Sequence, residues 1–322
     1  MPNYQGVWSL STQFQNASGW PDATAPVALF GGGGTASIVH STIDRIQILS
    51  TGNATDFGDF SAGRYFTAGN SNGTRAIWGG GGTAILTAVN IIEFTTFGTT
   101  GSITDFGDLR GVSTTINKGG GGNSTRGLMA GGWPSGNFTA ENFIDYITMA
   151  SAGNSLDFGD LSVARSPAGN VNSTTRAVFG SGATGGGGSN VIDYVTTASL
   201  GNATDFGDMT YAPSYATGCS NSTRGLFAGG YITGRFNTID YITIASTGNA
   251  TDFGDMTVAA QGRGAAADSV YGVFAGGHND PDYYNNIDYV TIGTTGNATD
   301  FGDLTVGGQG ITGCSAAHGG LS

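Results

Sequence analysis

Six copies of Asp-Phe-Gly-Asp, beginning at Asp56, Asp105, Asp157, Asp205, Asp252 and Asp300, follow one another at intervals of 49, 52, 48, 47 and 48 residues. A period of that size, sustained over most of a chain, marks one supersecondary unit copied in series. It constrains the fold more than any local motif does.

The unit reads most clearly over residues 216–258. A stretch of small residues, Ala216-Thr217-Gly218-Cys219-Ser220-Asn221, precedes the apolar run Leu226-Phe227-Ala228 and its closing pair Gly229-Gly230. After a variable loop, residues 238–245 are rich in Ile, Tyr and Thr, the composition of a strand. Gly248-Asn249 makes a tight turn, and Thr251 opens a last strand. No segment has the apolar spacing or length of a helix. The unit is therefore a four-stranded antiparallel meander, and a ring of such units is a β-propeller. Six repeats predict an all-β fold, a six-bladed propeller over residues 26–322 behind an N-terminal extension of residues 1–25.

The two ends of the repeat complement each other. The first unit starts at a second strand, Val27-Ala28-Leu29-Phe30-Gly31-Gly32. The chain finishes on Gly313-Cys314-Ser315-Ala316-Ala317-His318, which aligns with the first strand at Gly218 and has no second strand behind it. Residues near 313–318 are expected to complete blade 1 and remove both sheet edges. First strands converge on a crowded axis, which suits Gly69-Asn70-Ser71, Ala168-Gly169-Asn170 and Gly264-Ala265-Ala266-Ala267. Ile239, Ile242, Ile244 and their equivalents are expected in the core between blades. Arg75, Arg126, Arg176 and Arg224 recur just before second strands and are expected to pair with scaffold carboxylates, because an unpaired buried Asp is costly. Cys219 and Cys314 share a repeat position two units apart; they are expected as buried free thiols.

The formal charge of −12 is mostly a by-product of repetition. Twelve of the 23 acids lie in the Asp-Phe-Gly-Asp copies, and six more are Asp44, Glu93, Asp145, Asp193, Asp240 and Asp288, one per unit. Lys118 is the only lysine. Such a chain lacks the basic surface that phosphate backbones require, so nucleic acid is not an expected partner. No apolar run approaches a membrane span, and membrane insertion is not expected.

The motifs with chemical meaning elsewhere do not hold up here. Asp-Phe-Gly binds magnesium in protein kinases, but this chain has no Gly-rich nucleotide loop and no His-Arg-Asp. The four-glycine runs at Gly31, Gly79, Gly119 and Gly185 lack the Lys-Ser/Thr of a phosphate loop. Asp252 and Asp255 have no third carboxylate close by, which a calcium site would want. His40, His278 and His318 occupy different repeat positions and form no metal-ligand spacing. No catalytic residue, metal site or cofactor is expected, and the chain reads as a non-enzyme.

What varies between units carries more information. In an up-and-down blade, the first-to-second and third-to-fourth turns open on one face, and here they are near-copies. The second-to-third loops open on the other face and differ in every unit. Trp133 and Phe138 stand in one loop; Tyr231, Arg235 and Phe236 in another; His278, Asp280, Asp282, Tyr283 and Tyr284 in a third. Aromatic and polar groups on loops over a rigid scaffold suit recognition; drift in loops without a role is the alternative. Two of the four tryptophans fall in residues 1–25, where Val7, Trp8, Leu10, Phe14 and Trp20 form a candidate anchor. A tail rich in aromatics is expected to dock, on a neighbour or on its own domain.

The double glycine after an apolar strand, followed by a Tyr and then another aromatic, resembles the kelch repeat: Gly229-Gly230 with Tyr241 and Phe253, and Gly276-Gly277 with Tyr289 and Phe301. Phe stands here where kelch units usually carry Trp. Units reading Ile-Asp-Tyr-Ile-Thr-Ile-Ala-Ser-Thr-Gly-Asn-Ala-Thr-Asp-Phe-Gly-Asp, behind a Gly-Val-Trp-Ser-Leu leader, resemble kelch-like structural proteins of marine bacteriophages. The resemblance implies a virion appendage or surface-decorating propeller. Its partners would be other virion proteins through the leader and a host-surface glycan or receptor through the variable face. The alternative is a cellular or secreted propeller acting as a protein-interaction scaffold, extracellular or cytoplasmic.

Overall fold

The first strands are poor in side chains and the second strands are apolar on both faces, so the sheets can stand radially with their small edges inward. The computed structural model describes residues 26–84, 87–101, 103–110, 115–116, 119–134, 139–167 and 169–321. The candidate anchor (Val7, Trp8, Leu10, Phe14, Trp20), Phe138 and Ala168 lie outside the described residues. The architecture is all-β, a propeller of six blades, each a four-stranded antiparallel sheet. In blade 5 the strands run Thr217–Ser220, Arg224–Tyr231, Arg235–Thr243 and Thr251–Asp255 from the axis outward. Blade 1 is closed by both ends of the repeat. Thr312–Ser315 pairs with Val27–Gly31, with Leu29 opposite Cys314 and Phe30 opposite Gly313.

Six apolar clusters hold the ring, one between each pair of neighbouring blades. Between blades 4 and 5, for example, Val178, Ile192 and Phe206 meet Phe227, Ile242 and Ile244. Ile239, Ile242 and Ile244 are all buried as expected. Each such side chain contributes roughly 1.5–3 kcal/mol.

Asp-Phe-Gly-Asp recurs because it fastens one blade to the next. Phe253 is buried and meets Tyr241 edge-on at 6.1 Å. Gly254 has φ +145°, and a Cβ there would lie 2.5 Å from the Gly296 carbonyl oxygen of blade 6. The amide of Gly296 donates to the Phe253 carbonyl at 2.9 Å, and the Asp255 amide donates to Asn297 Oδ1 at 3.0 Å. Gly302 and Asp303 make the same contacts to Gly52 and Asn53, across the junction of blades 6 and 1. The recurring Asn-Ala-Thr is thus part of an inter-blade fastener.

The expected arginine–carboxylate pairing is corrected by the structure. Arg75, Arg126, Arg176 and Arg224 stack over Phe94, Tyr146, Tyr194 and Tyr241, 4.5–4.8 Å from the ring centroids. Each also donates to a carbonyl of the next blade, Arg224 to Ile292 at 2.9 Å. Strand parity explains the difference. Asp240 stands opposite Phe227 and Tyr241 opposite Leu226. Arg224 is two residues from Leu226 and three from Phe227, so it shares a face with Tyr241 and turns its back on Asp240.

The buried carboxylates are held instead by the connections that leave the preceding blade. Asp44 accepts from the Thr305 amide and hydroxyl at 2.8 and 2.7 Å. Asp240 does so from Thr210 at 2.9 and 2.8 Å. Arg110, Arg165 and Arg263 pair with Asp145, Asp193 and Asp288 at 2.6, 2.8 and 3.1 Å, and Arg64 pairs with Glu93. Burial raises the pKa of Asp44 and Asp240, against the pull of their threonine hydrogen bonds.

Candidate functional site

In the described connections, the fourth strand hands over to the next blade by a segment that crosses the variable face towards the axis. These connections clip onto the following second-to-third hairpin through single bridges: Tyr65 to Gly82, Ser166 to Ala183, Ser214 to Tyr231 and Gln261 to His278. Two residues before the first strand, the chain turns down into the axis. At this equivalent position stand Phe66, Tyr215, Gly262 and Gly310, with φ of 54°, 59°, 65° and 71°. Their peptides join head to tail around the axis. The Phe66 amide donates to the Gly310 carbonyl (2.7 Å), Gly310 to Gly262 (2.7 Å), and Gly262 to Tyr215 (3.0 Å).

Glycine fits that backbone without penalty. A side chain in the left-handed region costs roughly 1–2 kcal/mol, and a bulky one there is an outlier. Two blades nevertheless carry aromatic residues at it. The rings of Phe66 and Tyr215 lie 5.7 Å apart; Tyr65 stands 5.1 Å from Phe66, and Trp133 stands 5.9 Å from Tyr215. All four rings are half-buried. Burial, with the neighbouring Tyr65 adding to it, pushes the Tyr215 phenol up to about 12, and burial raises Tyr65 as well. Both hydroxyls are therefore neutral at ordinary pH.

Beneath the rings the axis offers little room. First-strand residues of all six blades (Gly69, Gly120, Asn170, Gly218, Ala265 and Gly313) line a cavity of about 70 Å³, and a second of about 60 Å³ lies below it. These spaces suit a few water molecules. The far end is stoppered by the residues after the last strand. His318 Nε2 donates to the Ser71 carbonyl of blade 2 at 3.0 Å, and the Gly319 amide donates to the Ser220 carbonyl of blade 5 at 2.9 Å. The axis itself has no room for anything much larger than water.

The residues singled out from the sequence divide into two groups. Trp133 joins the axial rings. Tyr231, Arg235, His278, Asp280 and Tyr283 meet at the rim, where the hairpins of blades 5 and 6 touch. There Asp280 accepts from Arg235 at 2.6 Å and from His278 Nε2 at 3.0 Å. The His278 ring stacks on Tyr283 with centroids 4.4 Å apart, and Arg235 lies over Tyr231 at 5.3 Å. Burial is the main cause lowering the His278 pKa, opposed by Asp280; the Arg235 hydrogen bond is the main cause lowering that of Asp280. Phe236 turns inward and contacts Tyr211 at 5.7 Å. Tyr284 is tied by its backbone to Gly277 and Gly308, and Asp282 is exposed at the hairpin tip.

Sequence reading missed Tyr65, Phe66 and Tyr215. The available signal was an aromatic residue just before a first strand, where two other units carry Gly262 and Gly310. A groove between the hairpins of blades 1 and 2 continues from Tyr65. It measures about 560 Å³ and is lined by Thr35, Ser37, Ile38, Thr83 and Gln309. Among the described residues, no cluster of three or more His, Cys, Asp or Glu could hold a metal ion, and no helix is long and apolar enough to cross a membrane. The variable face thus carries half-buried rings, an open groove and ion-paired hairpins. Compared with known proteins, the chain matches no family model, and none of the curated proteins matches it.

Proposed function

We propose that this propeller is a kelch-like, non-enzymatic recognition module of a bacteriophage virion. In this reading it is a tail, fibre or surface-decorating protein, held to the particle by residues 1–25, with its variable face turned towards a host-surface glycan or receptor. The observation that carries the reading is the strained pair Phe66 and Tyr215. Stability is given up to hold aromatic rings on one face, where two other blades use glycine. Strain of this kind is retained where a side chain has a task, and rigid aromatic rings are common anchors of interfaces.

The two roles separate experimentally. A chain lacking residues 1–20 should fold but fail to join the particle. A variant with Trp133→Ala, Tyr231→Ala and Tyr283→Ala should join the particle yet attach poorly to host cells. Normal attachment by that variant and by a second variant with Phe66→Gly and Tyr215→Gly would reduce the protein to a spacer. Purified particles without this chain would turn the assignment to a cellular or secreted scaffold.

A further inference from the structure

We infer that the variable face binds a linear, uncharged oligosaccharide along a track of four rings, Trp133, Tyr215, Phe66 and Tyr65, that leads from the axis into the groove between blades 1 and 2. The inference rests on the recognition reading above and names its ligand class and its site.

Three features select that ligand. The first is the run of rings. Successive ring centroids along the track are 5.9, 5.7 and 5.1 Å apart with planes inclined by 80°, 39° and 52°, so the rings make one continuous, corrugated aromatic surface over which an extended chain can lie. The C–H-rich faces of pyranoses carry partial positive charge and complement the negative faces of aromatic rings. The second is the supply of neutral polar groups. Beyond Tyr65 the groove offers the hydroxyls of Thr35, Ser37 and Thr83 and the amide of Gln309, whose Oε1 already accepts from Gln261 Nε2 at 3.2 Å. Such groups fix the orientation of a ligand whose bulk is held by stacking and shape.

The third feature is charge. Neither the groove nor the ring track carries a Lys, Arg, Asp or Glu side chain among its described residues. The nearby Arg64 is buried against Glu93, and Arg235 is engaged by Asp280. A chain of formal charge −12 whose track shows no accessible cation among its described residues disfavours an anionic polysaccharide.

The test is calorimetric titration of the full-length protein with cellohexaose, laminarihexaose, maltohexaose and chitohexaose, with an alginate hexamer as the anionic comparison. At least one neutral hexamer should bind, its trimer should bind about tenfold more weakly, and the alginate hexamer should not bind. The discriminating variants are Phe66→Gly and Tyr215→Gly. They install the residue that blades 6 and 1 carry at this position, so they should fold at least as stably as the parent while weakening the hexamer by about tenfold or more. Tyr215→Phe should keep most of the affinity.

Failure of every neutral hexamer to bind at millimolar concentration, preference for the anionic hexamer, or binding undiminished in the glycine variants would each overturn the inference. Host-cell attachment that survives both glycine substitutions but is lost in the Tyr231→Ala, Tyr283→Ala rim variant would overturn the track and leave the recognition reading standing. Attachment unaffected by either set would overturn both.

Discussion

His318 and Ser71, 247 positions apart in the chain, meet across one end of the propeller axis, the imidazole Nε2 donating to the Ser71 carbonyl at 3.0 Å. The other ring nitrogen, Nδ1, accepts from the Gly320 amide at 3.0 Å, so the tautomer is fixed by both partners. A second proton on Nδ1 would face an N–H donor. No carboxylate lines the cavity beneath it, and the Cys219 and Cys314 thiols there are neutral.

Burial holds the His318 pKa below its ordinary value. The unfolded chain therefore binds this proton more readily than the folded one. The stability from His318 is complete above the ordinary histidine value of about 6.5 and is lost as pH falls towards the lowered folded value. The thermal midpoint of the parent should drop more steeply between pH 7.5 and 5 than that of His318→Asn. His278, whose value burial also lowers, is present in both proteins and cancels. Parallel curves would show that the stopper is not held by this histidine.

Three glycine-to-alanine substitutions should separate backbone strain from steric contact. Gly254→Ala places a methyl 2.5 Å from a carbonyl of the next blade at φ +145°, and should cost roughly 3 kcal/mol or more. Gly248→Ala has φ +155° but nothing within 4 Å, and should cost about 1–2 kcal/mol. Gly293→Ala meets neither obstacle, at a position where blade 5 carries Ala245; it should be neutral or stabilising by about 0.4–1 kcal/mol. Urea denaturation gives the order, and equal losses at Gly254 and Gly248 would mean the inter-blade contact is not tight.

Arg224→Ala removes the hydrogen bond to the Ile292 carbonyl and the stacking on Tyr241. A loss of about 2 kcal/mol is expected in chemical denaturation. Blade 6 carries Tyr271 at this position, packed edge-on against Tyr289 at 5.7 Å. Arg224→Tyr should accordingly recover part of the loss, and the same loss in both variants would discount the ring contact.

Cys219 and Cys314 are buried and free. Burial raises both thiols, Cys314 to about 12, so neither forms appreciable thiolate at neutral pH. A thiol reagent at pH 8 should label the folded protein negligibly and label both cysteines after denaturation without reductant. Rapid labelling of the native protein would contradict the burial.

The six blades and their closure were legible because period and composition are properties of the sequence itself. The small residues at Gly313 could be matched to those at Gly218 without knowing any coordinates. Arg224 was misassigned because its partner depends on strand parity and register, which the charges of Arg and Asp do not encode. Trp133 and the rim residues from Tyr231 to Tyr283 were visible as departures from the repeat in long loops. Phe66 and Tyr215 were hidden because their significance lies in a backbone angle. Only the comparison with Gly262 and Gly310 reveals that an aromatic residue there is strained. The stopper at His318 was hidden too, since it depends on where the chain travels after its last strand.

The pairing of Thr312–Ser315 with Val27–Gly31 also fixes an order of events at the ribosome. The strand that begins blade 1 leaves the exit tunnel before the other blades, and its partner leaves after all of them. Until Thr312–Ser315 is made, Val27–Gly31 lacks the strand that pairs with its axial edge in the finished ring, and an unpaired edge is a template for another chain. The five blades made in between cannot shield it, because the vacancy has the shape of one particular four-residue segment. Translation that stalls in the last blade leaves a product that is unfinished at its beginning. The ring of this protein is therefore complete only once Thr312–Ser315 has been made.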